Sequence, residues 1–169
     1  MIALGSLIFI SAVSASVASP FDDAVNIKWE TVAGKLKEIT VARDYDSGEG
    51  EIYGVSSNGQ VWTCRLPCDG DKNKWSTITG SALHIAANEQ EVWKTNTDYT
   101  IDRCQKPCSG SWVRQSGRLR YISMAPGVLW GVNQFDDIWM TPIQRGSGPA
   151  WQYMSPGNKF IWISVGIDN

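Results

Sequence analysis

LWGVNQFDDIW at residues 129–139, VWKTNTDYTID at 92–102 and IYGVSSNGQVW at 52–62 are three versions of one text. They align without a gap: Ile52 to Val61, Val92 to Ile101 and Leu129 to Ile138 span equal intervals, and Cys64, Cys104 and Thr141 each follow three residues later. Each version reads as strand, turn, strand. Asn58-Gly59 is a hairpin signal, because both residues tolerate the positive φ of a two-residue hairpin loop. Thr97-Asp98 and Asp136-Asp137 hold the corresponding turn in the other two.

Around this text the chain repeats on a longer scale. Trp29, Trp75, Trp112 and Trp151 open successive units at spacings of 46, 37 and 39 residues. In the first three units a Gly follows five positions later (Gly34, Gly80, Gly117) and an Ile five after that (Ile39, Ile85, Ile122). Self-similarity at a period of about 40 residues marks a solenoid, propeller or array. Unit one carries six extra residues in its acidic stretch 44–51, and its strands are expected at 29–32, 36–41, 52–55 and 60–66. No 3.6-residue apolar stripe outlasts one turn, so no helix is expected beyond the leader. Four short strands in about 40 residues are the unit of a β-propeller blade, which buries its apolar side chains only between neighbouring blades. The expected fold is an all-β β-propeller with units 29–74, 75–111, 112–150 and a partial 151–169, about three and a half blades.

That count is low for a self-closed ring of about four to eight blades. Three explanations follow: the sequence is incomplete, the ring closes between chains as a homo-oligomer, or the N-terminal segment 19–28 supplies a closing strand. FDDAV at 21–25 echoes FDDIW at 135–139.

Residues 1–18 are apolar and end in Ser16-Val17-Ala18, the small residues a signal peptidase reads. The expectation is a signal peptide and a secreted, extracellular protein with no membrane span. A net charge of −2 and a pI near 5.3 argue against a nucleic-acid or anionic-membrane partner. Arg114, Arg118 and Arg120 gather locally and are expected to be solvated.

Four cysteines allow three pairings. Cys64/Cys68 and Cys104/Cys108 occupy equivalent places in two units, and a repeated unit should repeat its bond, which favours these two local disulfides. A four-thiolate zinc site would favour two-residue spacings and a reducing compartment.

The pattern W-x2-V-x-G-x-L-x2-I, here WETVAGKLKEITV at 29–41, followed by LWGVNQFDDIW at 129–139, resembles the tectonin repeat. CRLPC and CQKPC look most like its secreted branch, the fish-egg lectins and tachylectin-like proteins. The resemblance implies a propeller lectin that binds sugars on bacterial surfaces or glycoproteins, in innate defence or egg protection, sometimes with calcium, and without catalysis. A secreted protein-interaction or egg-storage module is the alternative.

Candidate sugar readers are the polar turn residues Asn58, Asn96, Asp98, Asn133, Asp136 and Asp137, although turn chemistry alone also selects Asn and Asp. The recurring Trp residues read as blade packing among the nine of the chain. Trp162 falls where other units carry Glu38, His84 and Tyr121, and so reads as a stacking platform for a pyranose. Asp44, Asp46, Glu49 and Glu51 can supply calcium oxygens, but fit no EF-hand pattern and read by default as a solvated acidic loop. No cofactor is otherwise required. The single His84 has no evident nucleophile to serve, and no phosphate loop occurs, so no catalytic residue is expected.

Overall fold

The computed structural model describes residues 35–43, 48–68, 74–144 and 147–166. The leader 1–18, the segment 19–28 with its FDDAV echo, Trp29, Gly34, Asp44 and Asp46 lie outside the described residues. Twelve strands form three four-stranded antiparallel sheets. The first joins β1 (Leu36–Arg43), β2 (Gly50–Ser56), β3 (Gln60–Arg65) and β4 (Ser76–Ser81). The second joins β5 (His84–Ala87), β6 (Glu91–Thr95), β7 (Thr100–Gln105) and β8 (Val113–Arg118). The third joins β9 (Tyr121–Ala125), β10 (Val128–Val132), β11 (Ile138–Pro142) and β12 (Gln152–Tyr153). The innermost strands β1, β5 and β9 lie side by side. The chain is all-β and built as β-propeller blades.

Sheet and sequence unit are out of step by one strand. The strand that each Trp opens is the fourth of the preceding sheet, so β4, after Trp75, pairs with β3, and β12, after Trp151, pairs with β11. The expected partial fourth unit therefore completes the third sheet, and the described residues hold three whole sheets.

The recurring Trp and Gly explain the phase. At Gly80 and Gly117 the backbone takes φ of 104° and 96°, and the ladder slips beside them, between Gln60 and Val61 and between Thr100 and Ile101. Such a bulge turns a carbonyl out of the ladder. The Thr79 carbonyl accepts the Trp112 indole N–H at 2.7 Å, and the Ser116 carbonyl accepts that of Trp151 at 2.9 Å. Trp112 and Trp151 thus each staple their own sheet to the one before.

Apolar faces fill the junctions. Tyr53, Val55, Val61 and Ile78 pack with Ile85 and Val92, and Trp93 and Ile101 pack with Leu119, Ile122 and Leu129. Trp93 is only 2% exposed, in keeping with a packing role for recurring aromatics. The Cys64–Cys68 and Cys104–Cys108 disulfides both form, each enclosing a cis-proline, Pro67 or Pro107. Across the innermost strands, His84 Nδ1 lies 2.8 Å from Glu38 Oε2, and its ring meets Tyr121 edge-on at 4.7 Å. His84 is therefore an interface residue. No helix among the described residues is long and apolar enough to cross a membrane.

Candidate functional site

The turn residues sit in the three hairpin loops, one per sheet, and do not converge. In each loop one residue adopts a left-handed conformation at the same aligned position: Gly59 (φ 87°), Tyr99 (65°) and Asp136 (66°). Asn58 Oδ1 accepts the Ser56 hydroxyl at 2.5 Å and the Gln60 N–H at 3.2 Å. Asn133 Oδ1 accepts the N–H groups of Phe135 and Asp137 at 2.9 and 3.0 Å. Asn96 is held at both ends: its Oδ1 accepts Lys94 Nζ at 2.6 Å, and its Nδ2 donates to Asp102 Oδ2 at 2.7 Å.

The acidic members are also partnered. The Thr100 hydroxyl, then its N–H, hold the Asp98 carboxyl below the usual carboxylate range. Asp136 pairs with Arg120 and Asp137 with Lys159, each at 2.6 Å. The Lys159 bond lowers the Asp137 pKa and raises that of Lys159. Trp162 is 59% exposed, on a segment tied to the third loop by the Phe160 N–H donating to the Asp136 carbonyl at 2.8 Å. Glu51 accepts the hydroxyls of Tyr53 and Thr63 and meets Lys106 Nζ at 3.1 Å. No cluster of three metal-ligating side chains occurs among the described residues.

Beside the third loop, between the second and third sheets, lies an open cleft of about 280 Å³. Trp139 from β11 and Trp151 at the foot of β12 supply its aromatic surface, Gly117 and Arg118 at the end of β8 face them, and Asn133, Gln134 and Phe135 form the rim. Trp139 stacks at a tilt on Tyr153, centroids 5.4 Å apart. Trp151 is held by its staple to Ser116, and a Cβ at Gly117 would lie 2.7 Å from its indole nitrogen, so the glycine lets the ring lie against the neighbouring sheet. Phe135 is 63% exposed. The cleft is mainly apolar with a few polar groups at its edge, as small-molecule sites tend to be.

The corresponding place between the first and second sheets is plugged. There Lys94 aligns with Gly131, and its ammonium lies 5.0 Å from the centre of the Trp112 ring. It donates to the Ser81 carbonyl at 2.7 Å and meets Asp102 at 3.2 Å. Asp102, opposite Arg114 in the ladder, bonds Arg114 Nε at 2.6 Å. The same register position in the third sheet is the Trp139–Tyr153 pair. Burial pushes the Asp102 pKa up, but hydrogen bonds from Asn96, Arg114 and Lys94 outweigh it, and the net shift is downward.

The cleft gathers Asn133 from the sequence candidates and adds Arg118, Gln134, Phe135, Trp139 and Trp151, which sequence reasoning missed. Trp139 and Trp151 recur in other units, and recurrence at fixed offsets reads as packing. The signal that could have found the cleft is where the repeats disagree: Gly131 against Lys94, and Trp139 against Asp102.

No family model and no curated protein matches the chain. Among solved structures, human WBSCR16 superposes over 80% of this chain and 44% of its own, with a TM-score of 0.54 and 8% identity. The computationally designed Ika4 protein covers 82% of this chain and 85% of its own, with a TM-score of 0.49 and 10% identity. SapL1 lectin in complex with alpha methyl fucoside covers 82% and 58%, with a TM-score of 0.47 and 14% identity. This chain spans less than half the length of WBSCR16. Likeness at such identities concerns the fold alone, and the tectonin resemblance rests on the wording of the repeat.

Proposed function

We propose that this chain is a secreted, tectonin-type carbohydrate-binding protein whose saccharide lies in the cleft between the second and third sheets. The carrying observation is two Trp side chains, Trp139 and Trp151, in an open cleft rimmed by Phe135, Asn133, Gln134 and Arg118. Aromatic faces take the apolar face of a pyranose, and polar groups at the rim bond its hydroxyls. Its targets are bacterial surface glycans or glycoproteins, and it acts by binding, without catalysis. The apolar leader at 1–18 and the two disulfides support an oxidising, extracellular location.

The test is retention on immobilised N-acetylglucosamine and on whole bacteria, with elution by free sugar. Trp139→Ala should abolish retention while the disulfides and the far-ultraviolet spectrum remain. Indifference to every sugar on a broad glycan array would sink the reading. A second reading, docking of another protein, draws on the exposed Ile161 (70%) and Trp162 (59%). It predicts co-purification with a partner that is lost in Trp162→Ala, without sugar retention.

A further inference from the structure

We propose that the cleft selects acidic saccharides, a pyranose ring carrying a carboxylate, and that Arg118 is the residue that reads the charge. The proposal rests on the carbohydrate reading of this cleft and adds the class of sugar. Three arginines cluster at 114, 118 and 120, and two are consumed. Arg114 bonds Asp102 and Arg120 bonds Asp136, both at 2.6 Å. Arg118 donates one bond, from Nη1 to the Asp98 backbone carbonyl at 3.2 Å, and among the described residues no carboxylate lies within ion-pair distance of it. That bond anchors the guanidinium to the second hairpin loop.

A guanidinium carries five N–H donors in a planar fork that matches a carboxylate edge to edge. Among the described residues, Arg118 is also the only charged one lining the cleft. Of the carboxylates near this edge, Asp136 and Asp137 are paired with Arg120 and Lys159, while Asp98, held on the Thr100 hydroxyl and N–H, keeps its negative charge and is the one that opposes an anion here. Asn133 has its amide oxygen on two backbone N–H groups, which leaves the arginine as the strongest polar group at the rim. A ring laid on Trp139 and Trp151 would present an equatorial carboxylate to this edge.

Calorimetric titration with methyl β-glucopyranoside and with methyl β-glucopyranosiduronic acid isolates the charge, since the two differ only at C6. The wild-type chain should bind the acidic glycoside at least about tenfold tighter at low salt, and sodium chloride should erode that margin. Arg118→Gln should bring the two affinities within about twofold of each other, Arg118→Lys should keep part of the preference, and Asp98→Asn should widen it. Acetate at the same concentration should not compete. Equal wild-type affinities, a preference that survives Arg118→Gln, or full competition by acetate would each overturn the proposal while leaving sugar binding intact. Silence toward both glycosides and a wider monosaccharide panel would overturn the carbohydrate reading and this one together.

Discussion

The junction between the first and second sheets and the junction between the second and third share one frame. In both, a Trp indole N–H bonds a carbonyl beside a bulge glycine: Trp112 to Thr79, and Trp151 to Ser116. They differ in what lies next to that Trp. At the first, Lys94, Asn96, Asp102 and Arg114 form a connected polar cluster beneath the ring. At the second, the aligned positions hold Gly131, Asn133, Trp139 and Tyr153, and a cleft opens. A volume exchange accompanies the change. Leu36 and Leu119 fill the space where Gly54 and Gly131 lack a Cβ, whereas Ala82, at their aligned position, leaves room for Lys94. The repeat thus carries a scaffold, and a few coupled positions decide whether a junction is sealed from within or left for a ligand.

The sealed junction should be the more costly one to break. Lys94 and Asp102 side chains are 5% and 10% exposed. Asp102→Ala strands a buried ammonium with only neutral acceptors, at a cost of about 3–5 kcal/mol in urea unfolding. The same carboxylate sets an acid limit. Its folded pKa lies below the ordinary value of 3.8, so its contribution is complete above that value and is lost as pH falls through the folded pKa. The slope of stability against pH below about 4 should flatten in Asp102→Asn.

Writing the sealed junction's ladder pair into the open one is the converse. Trp139→Asp with Tyr153→Arg should remove sugar retention, because the platform is gone. It should cost about 2–3 kcal/mol, because Trp139 also packs against the buried cluster around Leu129. Sugar binding that survived this pair would move the site elsewhere.

The two bulge glycines sharpen the contrast. Both have strongly positive φ, but a Cβ at Gly117 would lie 2.7 Å from the Trp151 nitrogen, against 3.3 Å from that of Trp112 at Gly80. Gly117→Ala should therefore cost about 2–3 kcal/mol, and Gly80→Ala about 1–2. Gly117→Ala should in addition weaken sugar binding by displacing a cleft wall.

Some of this was legible in the sequence and some was not. Strands, hairpin loops and the two disulfides depend on neighbours within a few residues, so aligned offsets such as Cys64/Cys68 and Cys104/Cys108 reveal them. The phase of the sheets depends on whether the strand after each Trp pairs forward or back, a long-range matter that offsets leave open. The W-x4-G spacing held the clue: its glycine makes the bulge whose carbonyl receives the next Trp. The cleft was hidden because Trp139 and Trp151 recur, and recurrence reads as core. The polar candidates were chosen for chemistry that the turns themselves consume, as the bonds to Asn58 Oδ1 and Asn133 Oδ1 make plain.

The smallest effect is expected where the two loops flanking these junctions match most closely. Tyr99 and Asp136 both sit at the left-handed position that Gly59 fills in the first sheet. An L residue there costs about 1 kcal/mol or more, and glycine removes that cost while loosening the unfolded chain. The Tyr99 backbone bonds, its N–H to the Asn96 carbonyl and its carbonyl from the Leu119 N–H, do not need the side chain. Tyr99→Gly should then stabilise by up to about 1 kcal/mol in thermal unfolding. Asp136→Gly gives up the half-exposed ion pair with Arg120, worth about 0–1 kcal/mol, and should come out near zero. A larger gain at Asp136 than at Tyr99 would mean that the Arg120 pair holds the third loop, and with it the rim of the cleft, under strain.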